Sequence, residues 1–171
     1  MDPLNISDLF GNDTINIFVL LLLLYMSYKG IYRPSNPKKY KGDSKNIIYR
    51  SLWERKFMNY CDLNENVLEW ASEEFWIPYK DPTSNRVRRY FPDFFIKYKD
   101  KTGTIRRSVI EVKPMRETLE PKVTKGKSRK TLINESMTYV KNQAKWKAAR
   151  EFCDDRKLEF KIMTEKELGI R

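Results

Sequence analysis

The sequence predicts an α/β fold whose elements run in the order α-β-β-β-α-β. Three observations carry that expectation. A capped amphipathic helix opens at Ser51, a strand-turn-strand unit runs from Tyr90 to Pro114, and a long helix after Thr131 is followed by one further strand. At 171 residues the chain is long enough for one domain with a real core.

The first helix follows Ile47-Ile48-Tyr49-Arg50. Ser51 and Glu54 form an S-x-x-E capping box, and Trp53, Phe57 and Cys61 then recur at four-residue spacing. Val67 to Tyr79 holds two short strand candidates around Trp70 and Trp76, separated by Ser72-Glu73-Glu74. Pro78, Pro82 and Ser84-Asn85 make a turn region leading to Arg86, Arg88 and Arg89. Those arginines are candidates to pair with phosphates; an exposed turn with nonspecific attraction is the alternative.

In Tyr90-Phe91-Pro92-Asp93-Phe94-Phe95-Ile96-Lys97-Tyr98, aromatic and β-branched residues dominate, as a pleated and largely buried strand prefers. Gly103 lies in a polar turn and can take positive φ, and a return strand runs from Ile105 to Lys113. Alternation puts Val109, Glu111 and Lys113 on one face, with Ile110 and Val112 looking into the core. If the hairpin closes around Gly103, Asp93 lies beside Glu111 and Lys113. Two carboxylates about 4 Å apart repel by about 4 kcal/mol at an effective dielectric of about 20, so a partly buried pair calls for a cation. Charges at alternate strand positions are also what a solvated face carries. A Pro-Asp step inside an apolar strand, a hairpin-length gap and Glu-x-Lys after Val-Ile together favour a site. Oxygen ligands without histidine or cysteine suit Mg²⁺ or Mn²⁺ rather than zinc.

Beyond Pro114, Arg116, Lys122, Lys125, Lys127, Arg129 and Lys130 fall in a stretch with no apolar periodicity, read as a mobile basic loop able to clamp a duplex. Met137, Val140, Ala144, Ala148 and Phe152 mark one face of the long helix, decorated by Lys141, Gln143, Lys145, Trp146 and Lys147. Gln143 is placed to orient a lysine or DNA. Leu158 to Met163 is the last strand, and Thr164-x-x-Glu167 caps a short closing helix.

Composition limits the chemistry. Lys plus Arg number 34 against 23 Asp plus Glu, a formal charge of +11, which favours a polyanionic partner with nucleic acid first. The absence of histidine excludes histidine-based nucleases, Ser-His hydrolases and most zinc hydrolases. Cys61 and Cys153 lack metal-ligand spacing and fit a reduced compartment. Ile15 to Tyr28 is apolar apart from Asn16 and Ser27. It is shorter than the roughly 20 residues of a membrane helix. Its leader carries Asp2, Asp8 and Asp13 where a signal peptide is basic. A marginal anchor flanked by Lys29 and Arg33 is one reading; an extension upstream of a start at Met26 is the one adopted.

Tyr49-Arg50-Ser51-x-Trp53-Glu54, Trp70-x-Ser72-Glu73, Ile77-Pro78-Tyr79, Arg88-Arg89-Tyr90-Phe91, Ile110-Glu111-Val112-Lys113-Pro114 and Lys145-Trp146-Lys147-Ala148-Ala149 together resemble the head completion nucleases of T-even-type tailed bacteriophages. Those belong to the PD-(D/E)xK superfamily, with the amino-terminal domain of the TnsA endonuclease as a relative. The resemblance covers about Met26 to the C-terminus. It implies a restriction-endonuclease-like core, a mixed sheet flanked by helices. The chain then divides into an apolar extension (1–25), a basic arm (26–46) that reads as extended over residues 33–46 from Pro34, Pro37, Lys38, Lys39 and Lys41, and a nuclease domain (47–171). The resemblance further implies that Asp93, Glu111 and the Val112 carbonyl bind Mg²⁺ or Mn²⁺. Lys113 would position or help deprotonate the attacking water, the orienting role being physically easier beside two carboxylates, and Glu54 would complete the acidic site. Apart from the resemblance, their charge and position along the chain make Arg86, Arg88, Arg89, Lys125, Lys127, Arg129, Lys130, Gln143 and Lys145 the candidates to face double-stranded DNA. The implied role is trimming or cutting DNA so that filled heads join tails, with head or portal and tail components as partners in the host cytoplasm and virion. No small-molecule cofactor or membrane is expected. A non-catalytic basic DNA-binding or structural head protein, and a membrane-tethered nuclease-like protein, are the alternatives.

Overall fold

The hairpin expected around Gly103 is the centre of the molecule in the computed structural model, which describes residues 29–169. In chain order, β1 (Gly30–Tyr32) and β2 (Ile47–Tyr49) pair with each other and precede helix α1 (Leu52–Leu63). Strands β3 (Val67–Ser72), β4 (Ile77–Asp81), β5 (Arg86–Tyr90), β6 (Phe94–Lys99) and β7 (Ile105–Val112) follow. Then come a single-turn helix α2 (Met115–Thr118), the long helix α3 (Arg129–Asp155) and β8 (Glu159–Met163). The main sheet has the order β3-β6-β7-β8, and β4-β5 forms a separate hairpin. Antiparallel β3-β6-β7 with a parallel β7-β8 pair makes the sheet mixed. The crossover through α3 is what allows β8 to run parallel to β7.

Two apolar clusters cover opposite faces of this sheet. On one, Ile110, Val112, Phe94, Ile96 and Trp70 meet Phe57, Met58 and Cys61 of α1 and Tyr32, Tyr40, Ile47 and Tyr49. On the other, Phe160 of β8, whose partner is Val109, packs with Ala144, Ala148, Ala149 and Phe152 of α3 and with Ile77, Tyr79 and Tyr90. Val109 through Val112 is therefore buried on both sides, as befits a strand with helices above and below.

Five expectations change. Residues 33–46 do not form an extended basic arm. A 3₁₀ turn at Pro37–Lys39 lies against α1, and the buried Asp62 accepts hydrogen bonds from the Ser35 and Asn36 amides at 2.7 and 2.9 Å. Lys39 Nζ caps the helix end through the Asp62 and Asn64 carbonyls. Second, Tyr90 ends β5 and Phe94 begins β6, so Asp93 stands in a bend between strands rather than inside one. Pro92 has no amide hydrogen for a ladder, which explains the break. Arg86, Arg88 and Arg89 accordingly belong to a strand, not to the turn before it. Third, the basic stretch after Pro114 is not all loop: Arg129 and Lys130 form the first turn of α3, capped by Ser128. Fourth, the expected α3 face is only partly covered: Ala144, Ala148 and Phe152 pack on the sheet, but the most buried positions are others. Asn142, Trp146, Ala149 and Cys153 are interior, whereas Met137 and Val140 are each 44 % exposed. Fifth, the Thr164–Glu167 cap forms as a turn without a helix behind it. The apolar stretch at residues 15–28 and the Met26 start lie outside the described residues. Among the described residues no helix is long and apolar enough to cross a membrane.

Candidate active site

Register decides the site. Phe94 pairs with Ile110, so the next step outward sets Asp93 against Glu111. Asp93 Oδ2 accepts the Val112 amide at 2.7 Å. Its Oδ1 makes no hydrogen bond among the described residues. Glu111 is 3 % exposed, and its two oxygens are held differently. Oε2 accepts the Tyr90 hydroxyl at 2.6 Å, and Oε1 lies 3.2 Å from Lys113 Nζ. Glu111 and Lys113 share a strand face and converge because β7 ends at Val112, where the Lys113 amide still bonds the Met163 carbonyl of β8.

The electrostatics follow from this crowding. Burial of the Asp93 carboxyl and the neighbouring Glu111 charge push its pKa well above the usual carboxylate range, against the opposing pull of Lys113 and the Val112 amide. Burial would lower the pKa of Lys113, but the Glu111 and Asp93 charges outweigh it and the value is raised. Lys113 therefore holds its proton and is a poor base. Lys145 from α3 completes the cluster. Its Nζ lies 5.7 Å from the Tyr90 ring centroid and 5.9 Å from that of Tyr79, and burial lowers its pKa while Glu111 and Asp93 pull the other way.

Glu54 is committed to the helix cap. Its Oε2 accepts the Arg50 amide at 2.7 Å and its Oε1 accepts the Ser51 hydroxyl at 3.0 Å. It is near enough for its charge to raise the Asp93 pKa. Even so, no group of three or more Asp, Glu, Cys or His side chains among the described residues is arranged to hold a metal ion. Arg50 in turn is ion-paired with Glu73, whose backbone is left-handed at φ 54°. The donor set available to a metal is thus two carboxylates and backbone oxygen. Such a set fits Mg²⁺, which commonly binds one or two carboxylates and fills its remaining positions with water and phosphate.

Other expected site residues are scattered. Arg88 pairs with the buried Asp81 at 3.0 Å, and Arg89 lies 5.0 Å over the Trp76 ring. Lys127 is tied to Glu135 at 2.6 Å. Arg86, Lys125, Arg129 and Lys130 are exposed, and Gln143 is half-buried on α3. No ion pair or hydrogen bond among the described residues links any of these to Asp93 or Glu111. Tyr90 is the residue sequence reasoning missed. Assigning it to the strand of Asp93 hid it, since only the break at Pro92 reveals that it comes from another hairpin.

With this geometry in hand, comparison with known proteins places the chain among nucleases. A family model described as TnsA-like endonuclease N terminal matches residues 64–165. The head completion nuclease of Enterobacteria phage T4 is 38 % identical over 143 residues, which cover 82 % of this chain and 93 % of that protein.

Proposed function

This chain belongs to the nuclease family of TnsA-like endonuclease N-terminal domains, and on that premise we propose that it is a metal-dependent deoxyribonuclease that acts in phage head completion. The observation carrying the proposal is the convergence of Asp93, Glu111 and Lys113 at one end of β7, with Asp93 on the Val112 amide and Lys113 on Glu111. Asp93, Glu111 and the Val112 carbonyl would hold Mg²⁺ or Mn²⁺. Such an ion, when bound, polarises a phosphate oxygen and lowers the pKa of its water.

The protein's own groups do the rest. Lys113, held protonated beside two carboxylates, orients the attacking water and balances charge on the phosphate rather than taking a proton. Lys145 presents a second cation from the opposite element. Glu54 contributes negative charge behind Asp93 while capping α1. The exposed Arg86, Lys125, Arg129 and Lys130, with Arg88, Arg89, Lys127 and Gln143, are the candidates to contact the DNA backbone. Their contacts would be screened by salt. Head, portal and tail components are the partners this role requires, in the host cytoplasm and the virion.

The direct test is plasmid cleavage by the full chain in Mg²⁺, abolished by a chelator and restored by excess Mg²⁺. DNA retention without cleavage under any divalent ion would instead indicate a binding protein. Tyr90→Phe adds a graded measurement, because it removes only the hydroxyl that fixes Glu111. The Mg²⁺ concentration for half-maximal cleavage is expected to rise about 10–100-fold. An unchanged metal titration would rule out that positioning role.

A further inference from the structure

The β4-β5 hairpin has one face packed on α3 and one face bare. Ile77, Tyr79 and Tyr90 point inward and are buried. The alternate residues Trp76, Pro78 and Lys80 on one side, and Val87, Arg89 and Phe91 on the other, are all exposed. Trp76 and Phe91 stand one step beyond the paired Ile77 and Tyr90, so they are neighbours at the open end of the hairpin. They are 47 % and 44 % exposed, and the Arg89 guanidinium lies over the indole. Among the described residues of β4 and β5, no acidic side chain alternates onto this face.

Position gives the platform a use. Phe91 is two residues from Asp93, which limits their Cα separation to about 7 Å. A nucleic-acid strand with its phosphate at Asp93 and Glu111 is thereby within reach of Phe91, and of Trp76 across the end of the hairpin. Within a duplex the faces of the bases are covered by their neighbours. Exposed aromatic rings instead gain by stacking on unpaired bases, and a cation above the ring strengthens the arrangement. Lys80 and Arg89 supply the complementary charge for the backbone of the same strand.

We propose that Trp76, Phe91 and Arg89 form a stacking platform for unpaired nucleotides adjoining the scissile phosphate, so that the substrate is DNA with a single-stranded tail or flap rather than continuous duplex. This rests on the nuclease reading for its placement, but its test does not require cleavage. Binding of the full chain is measured in chelator by fluorescence anisotropy. One duplex carries an unpaired oligo-dT tail, with both polarities tried, and the same duplex is closed at both ends by hairpins.

A tail of one polarity is expected to tighten binding about tenfold over the closed duplex. Trp76→Ala and Phe91→Ala should each remove most of that gain and leave closed-duplex affinity unchanged. Trp76→Phe should keep most of it, and Ile105→Ala, on an exposed residue at the far end of β7, should keep all of it. Equal affinity for tailed and closed DNA overturns the proposal. So does an equal loss on both substrates in the alanine variants, or no loss on either; the last result would leave the face for a protein partner. A parent protein that lacks tail preference yet cleaves paired DNA refutes the platform alone. Absent cleavage with intact tail preference refutes the nuclease assignment alone.

Discussion

Asparagine in place of Asp93 is expected to lower cleavage by about 10³-fold or more while leaving the metal-free protein at least as stable as the parent. The two effects have one cause. Asp93 is crowded by protein and by Glu111, an arrangement that suits a bound cation and disfavours a second negative charge without one. Asparagine keeps an oxygen for the Val112 amide and removes the charge. The pH dependence gives the sign. The folded-state pKa of Asp93 lies above its unfolded value near 3.9. Asp93 therefore favours folding while protonated, fully so below about pH 4, and that contribution disappears as pH rises through the elevated folded value. Urea titrations of both proteins in chelator should show the Asp93→Asn protein gaining stability over the parent as pH climbs from 4 towards neutrality. A variant less stable than its parent at pH 7, or one that still cleaves, would contradict the carboxylate-pair reading.

Lys113→Met is expected to be equally inactive and to shift stability in the opposite direction. Methionine preserves an apolar stem of similar length, so the change removes the ammonium 3.2 Å from Glu111 Oε1 and little else. Glu111 and Asp93 are then left facing each other without the cation that offsets them. Cleavage should fall by about 10²–10⁴-fold, and the metal-free protein should unfold at a lower temperature than wild type. Divalent ions should raise its melting temperature more than they raise that of wild type, because binding to the folded state supplies the missing positive charge. Calorimetry with and without Mg²⁺ measures this. Equal stabilisation of both proteins by Mg²⁺ would mean that Lys113 does not neutralise the pair.

Much of the catalytic end could be read along the chain because it depends on short-range rules. Strand alternation and a glycine-centred turn, taken together, set Asp93 beside Glu111 and Lys113, and the register of Phe94 on Ile110 agrees. The Ser51–Glu54 cap is local in the same way. Local logic failed where one pattern allowed two partners. Met137 and Val140 have helical spacing with Ala144 and Ala148, yet each keeps 44 % of its surface exposed while those alanines pack on the sheet. Trp146, expected on the decorated side, is buried instead, with its indole nitrogen unpaired.

Residue types and their spacing along the chain were enough to mark the charged chemistry, the hairpin that brings an aspartate to a glutamate and a lysine, and the exclusion of histidine-based mechanisms. Packing between distant elements was needed to place Tyr90 in another hairpin against Glu111, to bring Lys145 to the site over two tyrosine rings, and to leave Trp76 and Phe91 on one bare face. The reason is physical. Alternation and capping are set within a few residues, whereas the covering of a face depends on elements distant in the chain. Tyr90 and Glu111 are 21 residues apart, and neither carries a local mark of the other.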